Sequence, residues 1–96
     1  MVQLTHAATN QRIEHELDYA RREWESVPEY LAAWTNWDED ERLDFVLEWA
    51  IRESSLTLLR EWAANGLLSR QQQERYEDLL CTVAKHRPLI GPLLAE

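Results

Sequence analysis

"DEDERLDFVLEWAIRESSLTLLREWAANG", residues 38–66, decides how this chain folds. It reads either as one long helix or as two helices meeting at "ESS", residues 53–55. At about 1.5 Å per residue a single helix would be roughly 40 Å long, whereas a compact domain of this size is only about 32 Å across. At about 100° per residue, Leu43, Val46, Leu47 and Ala50 share one face, with Glu41, Asp44, Glu48 and Arg52 opposite. Beyond Ser54 and Ser55 the apolar set becomes Leu56, Leu59, Trp62 and Ala63, on nearly the face that is charged before. The reading is therefore a kink or break at "ESS". A straight helix would imply a second chain covering one of its halves.

Asp38 and Glu41 form a capping box at the start of this segment, since a carboxylate at N-cap satisfies a free backbone N–H three residues on. Trp37, just before the cap, is placed to fold back on the first turn as a staple. Gly66 supplies the left-handed stop at the other end. Upstream, Ile13, Leu17, Ala20, Trp24 and Val27 recur at spacings of four and three, the stripe of an amphipathic helix capped by Thr9 or Asn10. "SVPE", residues 26–29, reads as a fresh start, with Ser26 at N-cap, Pro28 in the first turn and Glu29 closing a box. A short second helix then presents Tyr30, Leu31 and Trp34.

Downstream, Ser69 and Gln72 cap another helix with a stripe of Tyr76, Leu79, Leu80 and Val83, and Pro88 ends it near His86 or Arg87. The tail "PLIGPLLAE" is apolar at Leu89, Ile90, Leu93 and Leu94 and is expected to dock on the bundle. The expected fold is all-α, an irregular bundle of four to five helices in a single domain spanning residues 1–96. Only two glycines and three prolines, with 29% charged residues, suit such a chain.

The formal net charge of −8 argues against direct binding of nucleic acid or an anionic membrane, because phosphate binding needs a basic surface. The charge is unevenly spread. Residues 1–48 hold twelve acids and four bases, whereas residues 49–96 hold six of each. With no signal-like segment at "MVQLTHAATNQR", no run of membrane-spanning length and a single cysteine, the expected compartment is the cytoplasm.

Catalytic and metal motifs are incomplete. "HELDY", residues 15–19, begins as a zinc-protease helix does, but Tyr19 stands where the second histidine is required. "NWDEDERLD", residues 36–44, starts with the alternating oxygens of a calcium loop, yet Glu41 occupies its glycine position and Leu47 its bidentate glutamate position. Cys81 and His86 point about 140° apart on a helix and form no local thiol–base pair. Cys81 is expected to pack against a neighbouring helix. The chain is read as no enzyme, with no metal and no cofactor.

Five tryptophans remain. Trp24, Trp34 and Trp62 belong to core stripes. Phe45 and Trp49 flank the apolar face of the long segment, and are either covered by a neighbouring helix or offered to a partner. The acids Asp38 to Glu41 suit the positive end of a helix dipole and need no partner. The surplus does ask for one: residues 23–48 contain nine acids and only Arg42 as a base. The candidate partner-binding set is Trp37, Asp38, Asp40, Asp44, Phe45, Glu48 and Trp49, docking on a basic protein. A toxin neutraliser, an inhibitor that mimics nucleic-acid charge or a regulatory subunit would each carry such a surface. The alternative is a homodimer built from the wide apolar faces of residues 43–63 and the tail.

Overall fold

The computed structural model describes residues 2–94, with side chains from Thr9 onward. The described residues form four helices: α1 (Val2–Glu25), α2 (Val27–Trp34), α3 (Glu39–Ala64) and α4 (Arg70–Leu94). The segment that begins with Asp38 is one uninterrupted helix of 26 residues. Its length fits because the domain is a rod of 48 × 25 × 18 Å, with a radius of gyration of 15.3 Å against the roughly 12.5 Å of a compact sphere-like chain. The expected break at "ESS" is absent.

The reason lies in the side chains α3 turns inward. Phe45, Trp49, Leu59 and Ser55 are buried, with Arg52, Leu56 and Ala63 partly covered. Residues 45, 49, 52, 56, 59 and 63 are spaced four and three apart, a single stripe running the whole length of the helix. Arg52 completes it from the middle. Most of the expected core face of the first half points outward instead: Leu43 and Leu47 are 56% and 64% exposed and Ala50 is exposed too, while Val46 stays partly buried against the core. Ile51, in line with Leu43 and Leu47, is 62% exposed. Arg52, expected among the solvent-facing charges, keeps only 11% of its side chain accessible.

The same 4–3 spacing organises the other long helices. On α1 it is Ile13, Leu17, Ala20 and Trp24, continuing to Val27, all at or below 2% exposure. On α4 it is Gln72, Tyr76, Leu79 and Val83, with Ile90 further along. A hydrophobic repeat near 3.5 residues keeps neighbouring stripes in register when helices coil gently left-handed. Leu80, read as part of the α4 stripe, is 41% exposed.

Cross-links fix the directions. Asn10 and Glu14 meet Gln72, Glu14 and Asp18 meet Arg75, and Trp24 lies under Arg87, so α1 and α4 run parallel. Glu16 meets Ser55 and Glu23 meets Arg52, while Arg12 stacks on Trp62, so α3 runs antiparallel to α1. The bidentate pair of Arg87 with Glu53 ties α3 to α4 in the same sense. Short α2 turns the chain between α1 and α3 and packs on α4.

Helix ends depart from the sequence reading in three places. Helix α1 begins at Val2, ahead of Thr9 and Asn10. Asn10 is instead an acceptor for the Gln72 amide at 2.9 Å. Ser26 separates α1 from α2 but keeps a helical conformation: its hydroxyl donates to Arg22 O at 2.8 Å, closing α1 rather than capping α2. Helix α4 runs through Pro88 and Pro92 to Leu94. Both prolines are exposed, as is Ala84, whose carbonyl loses its helical donor to Pro88. Completely buried Ile90 and partly buried Leu93 and Leu94 hold the continued helix on the bundle as expected of the tail, whereas Leu89, expected to dock with them, is 47% exposed. The box at Ser69 forms as read, Ser69 and Gln72 exchanging two hydrogen bonds, while at Asp38 only half of the expected box is present: Glu41 N donates to Asp38 Oδ1 at 2.8 Å.

Gln72 is nearly buried, and its amide donates to Asn10 Oδ1 and Glu14 Oε2 while Arg75 donates to Glu14 Oε1. The Gln72 hydrogen bond first, then the Arg75 hydrogen bond and charge, hold the Glu14 carboxyl below its ordinary range against the opposing effect of burial. A carboxyl whose folded pKa is depressed stabilises the fold at pH values above its unfolded pKa of about 4.3, and loses that contribution as pH falls through the folded value. Glu14→Gln is therefore expected to flatten the fall in stability between about pH 5 and pH 3. Urea midpoints for both proteins across that range check it, and parallel curves would refute it.

Candidate functional site

The first half of α3 carries the candidate site, and its geometry follows from which stripe faces inward. With Phe45 and Trp49 turned to the core, residues half a turn away must face water. Leu43, Leu47 and Ile51 form one row at four-residue spacing, and Asp40, Asp44 and Glu48 form a second row beside it, all exposed. Residues four apart lie above one another on a helix, so these are two adjacent ridges, one aliphatic and one anionic.

Of the sequence-predicted set, Asp38 holds the helix cap, while Asp40, Asp44 and Glu48 share this solvent-facing edge. The aromatic members lie elsewhere. Phe45 is 5% and Trp49 2% exposed, each covered by neighbouring helices, so neither is available as a solvent-facing anchor. Trp37 is half-buried, its ring 5.4 Å from Phe45, one turn further along than a staple would reach. Phe45 is also 5.1 Å from Tyr30 and 5.5 Å from Trp49, and Trp49 is 5.1 Å from Trp24. These rings form a continuous inner cluster. Trp49 Nε1 leaves it to donate to Glu53 Oε2 at 2.9 Å.

The bases near the acidic edge are engaged. Arg42 Nε donates to Trp34 O at 3.1 Å, with its guanidinium 5.2 Å from the Trp34 ring. Arg52 is enclosed with Glu23 at 2.7 Å. Neither makes an ion pair with Asp40, Asp44 or Glu48.

A shallow groove between α1 and α3 borders the aliphatic row, lined by His15, Glu16, Tyr19, Ile51, Ser54 and Leu58. Burial pushes the Tyr19 hydroxyl above its ordinary pKa; Arg52 opposes this, and Glu23, Glu16 and Glu48 add to it. Of the groove's lining residues, Glu16 carries a negative charge. On the other side of the row, Trp34, Glu39, Arg42, Leu43, Val46 and Leu93 line a second groove.

On the sequence, Leu43 and Leu47 fall on the expected core face and Ile51 has no assigned place, so the exposed row they form is not foreseen. The signal was present in the 4–3 series from Phe45 to Ala63, provided Arg52 is admitted to it.

Elsewhere, Cys81 is exposed on α4 rather than packed against a neighbour. His15 is exposed, as read from its position opposite the α1 stripe. Among the described residues, no three His, Cys, Asp or Glu side chains are grouped to hold a metal, and no helix is long and apolar enough to cross a membrane. No protein-family model, curated protein or solved structure matches the chain.

Proposed function

We propose that this chain is a non-catalytic, acidic protein-binding module that docks on a basic protein surface through the outer face of α3. The observation that carries this reading is the pairing of the exposed row Leu43, Leu47 and Ile51 with the exposed row Asp40, Asp44 and Glu48. Apolar side chains left in water at the centre of a face supply the area that a partner desolvates. Carboxylates along its edge steer a cationic partner and reject an anionic one. Antitoxin-like neutralisation, inhibition by charge mimicry and regulation of a basic enzyme are all served by such a face.

Charge reversal of Asp40, Asp44 and Glu48 to lysine tests it, with Asp38 left intact because it caps α3. The triple variant is expected to fold normally and to lose capture of the partner from the source cell, along with the salt dependence of that capture. Undiminished capture with the same salt response would refute the reading.

The second reading, a homodimer, draws on the same exposure of Leu43, Leu47 and Ile51. Light scattering during size exclusion separates the two: a dimer at low micromolar concentration that Leu47→Asp dissociates supports self-assembly, and a monomer supports docking.

A further inference from the structure

We infer that the outer face of α3 receives a cationic amphipathic helix of a partner protein; this rests on the docking reading above and names its occupant. The shape argument comes first. Leu43, Leu47 and Ile51 form a ridge of residues four apart over about 12 Å, and such a ridge seats between the ridges of a second helix. A groove borders this ridge on each side, one against α1 and one toward Leu93. An occupant with apolar side chains spaced three and four apart straddles the ridge and fills both grooves, the geometry by which an amphipathic helix is recognised. Ala50 and Ser54, both small and exposed on the same face, leave room for a close approach.

Charge decides which helix. Along the ridge run Asp40, Asp44 and Glu48, with Glu39 at one groove and Glu16 at the other. Arg52 is spent on Glu23, and Arg42, held by the Trp34 carbonyl, is a single cation at the groove that contains Glu39, so carboxylates outnumber cations on this face and Asp40, Asp44 and Glu48 are left without ion pairs. A helix flanked by lysine or arginine pairs with these acids on both sides of its apolar seam. A second copy of this chain brings its own Asp40, Asp44 and Glu48 to the same seam, and a net charge of −8 against −8. Like charges at that distance oppose association. The occupant is therefore a different chain.

Three synthetic 18-residue peptides test the inference on the whole protein: leucine and lysine in amphipathic order, the same composition scrambled, and leucine with glutamate in the amphipathic order. Titrations are followed by calorimetry and by methyl NMR of Leu43, Leu47 and Ile51. The ordered leucine–lysine peptide is expected to bind at micromolar concentration, shift those methyls and weaken as salt is raised, while the leucine–glutamate peptide does not bind. Leu47→Ser with Ile51→Ser, both at exposed positions, is expected to weaken binding by about tenfold or more without altering the fold. Equal binding of the scrambled peptide would overturn the helical occupant while leaving the docking reading intact. Binding by neither lysine peptide would also overturn it, and the docking reading would then stand or fall on partner capture alone. A dimer whose interface contains Leu47 would replace the partner helix with a second copy.

Discussion

Trp24→Ala is expected to lower the unfolding free energy by about 4 kcal/mol, the largest single loss at any position in this chain. Trp24 is 0% exposed, meets Trp49 edge to face at 5.1 Å and lies 5.0 Å beneath the Arg87 guanidinium. Truncation removes packing from α1, α3 and α4 at once, and a rod only 18 Å thick has no second layer to collapse into the space. Against a total stability of about 5–14 kcal/mol for 96 residues, this corresponds to a fall in melting temperature of about 15–30 °C. Trp24→Phe should cost far less. It keeps most of the apolar volume and removes an indole N–H that is buried without a partner. Urea unfolding followed by circular dichroism measures both, and a loss below about 1 kcal/mol for the alanine variant would contradict the central placement of this ring.

The second large effect is expected at Arg52. Its Nε donates to Glu23 Oε1 at 2.7 Å, and its guanidinium lies 5.3–5.6 Å from the rings of Tyr30, Phe45 and Trp49. The Tyr30 hydroxyl donates to the same Glu23 oxygen at 2.9 Å. Arg52→Ala leaves that carboxylate, 16% exposed, with one neutral donor in a mostly dry site. Removing one member of a buried pair costs about 3–5 kcal/mol; the residual exposure brings the expected loss to about 2–3 kcal/mol. Arg52→Lys should recover only part of it, because a compact ammonium lacks the planar fork and stacks poorly. Arg52→Met combined with Glu23→Leu should recover most, since neither charge is then stranded. A double variant as unstable as Arg52→Ala would show that packing volume, not the uncompensated carboxylate, sets the effect.

Arg52 also explains where sequence reasoning stopped. The stripe of α1 was legible because every inward position is apolar, and the Asp38 cap because a carboxylate three residues before a free N–H has one obvious use. On α3 two apolar faces competed. Leu43 and Leu47 were favoured as core over Phe45 and Trp49, since counting a charged residue as solvent-facing broke the second series at position 52. Energetically the choice runs the other way: an aromatic ring buries about 150–250 Å², and a guanidinium paired with Glu23 and stacked on rings is a tolerable interior group. Once Arg52 is placed inward, the change of face at "ESS" disappears and the helix has no reason to break. The acids of the candidate site were legible from composition, but their aliphatic neighbours were not, because no local signal distinguishes an exposed leucine row from a buried one. Pro88 misled for a related reason. It marks a missing hydrogen bond, and whether the helix ends there depends on Ile90 finding a buried seat two residues later.

The parallel pairing of α1 with α4 has a consequence for synthesis. The partners that cover the first helix, Gln72 and Arg75 among them, lie 57–62 residues further along the chain. During translation α1 emerges long before α4, and until the last third of the polypeptide has left the ribosome its Leu17 and Trp24 lack part of their shelter. A nascent chain arrested near residue 66 would thus display sticky surface and invite chaperone capture, whereas release of α4 would close the rod in one late event.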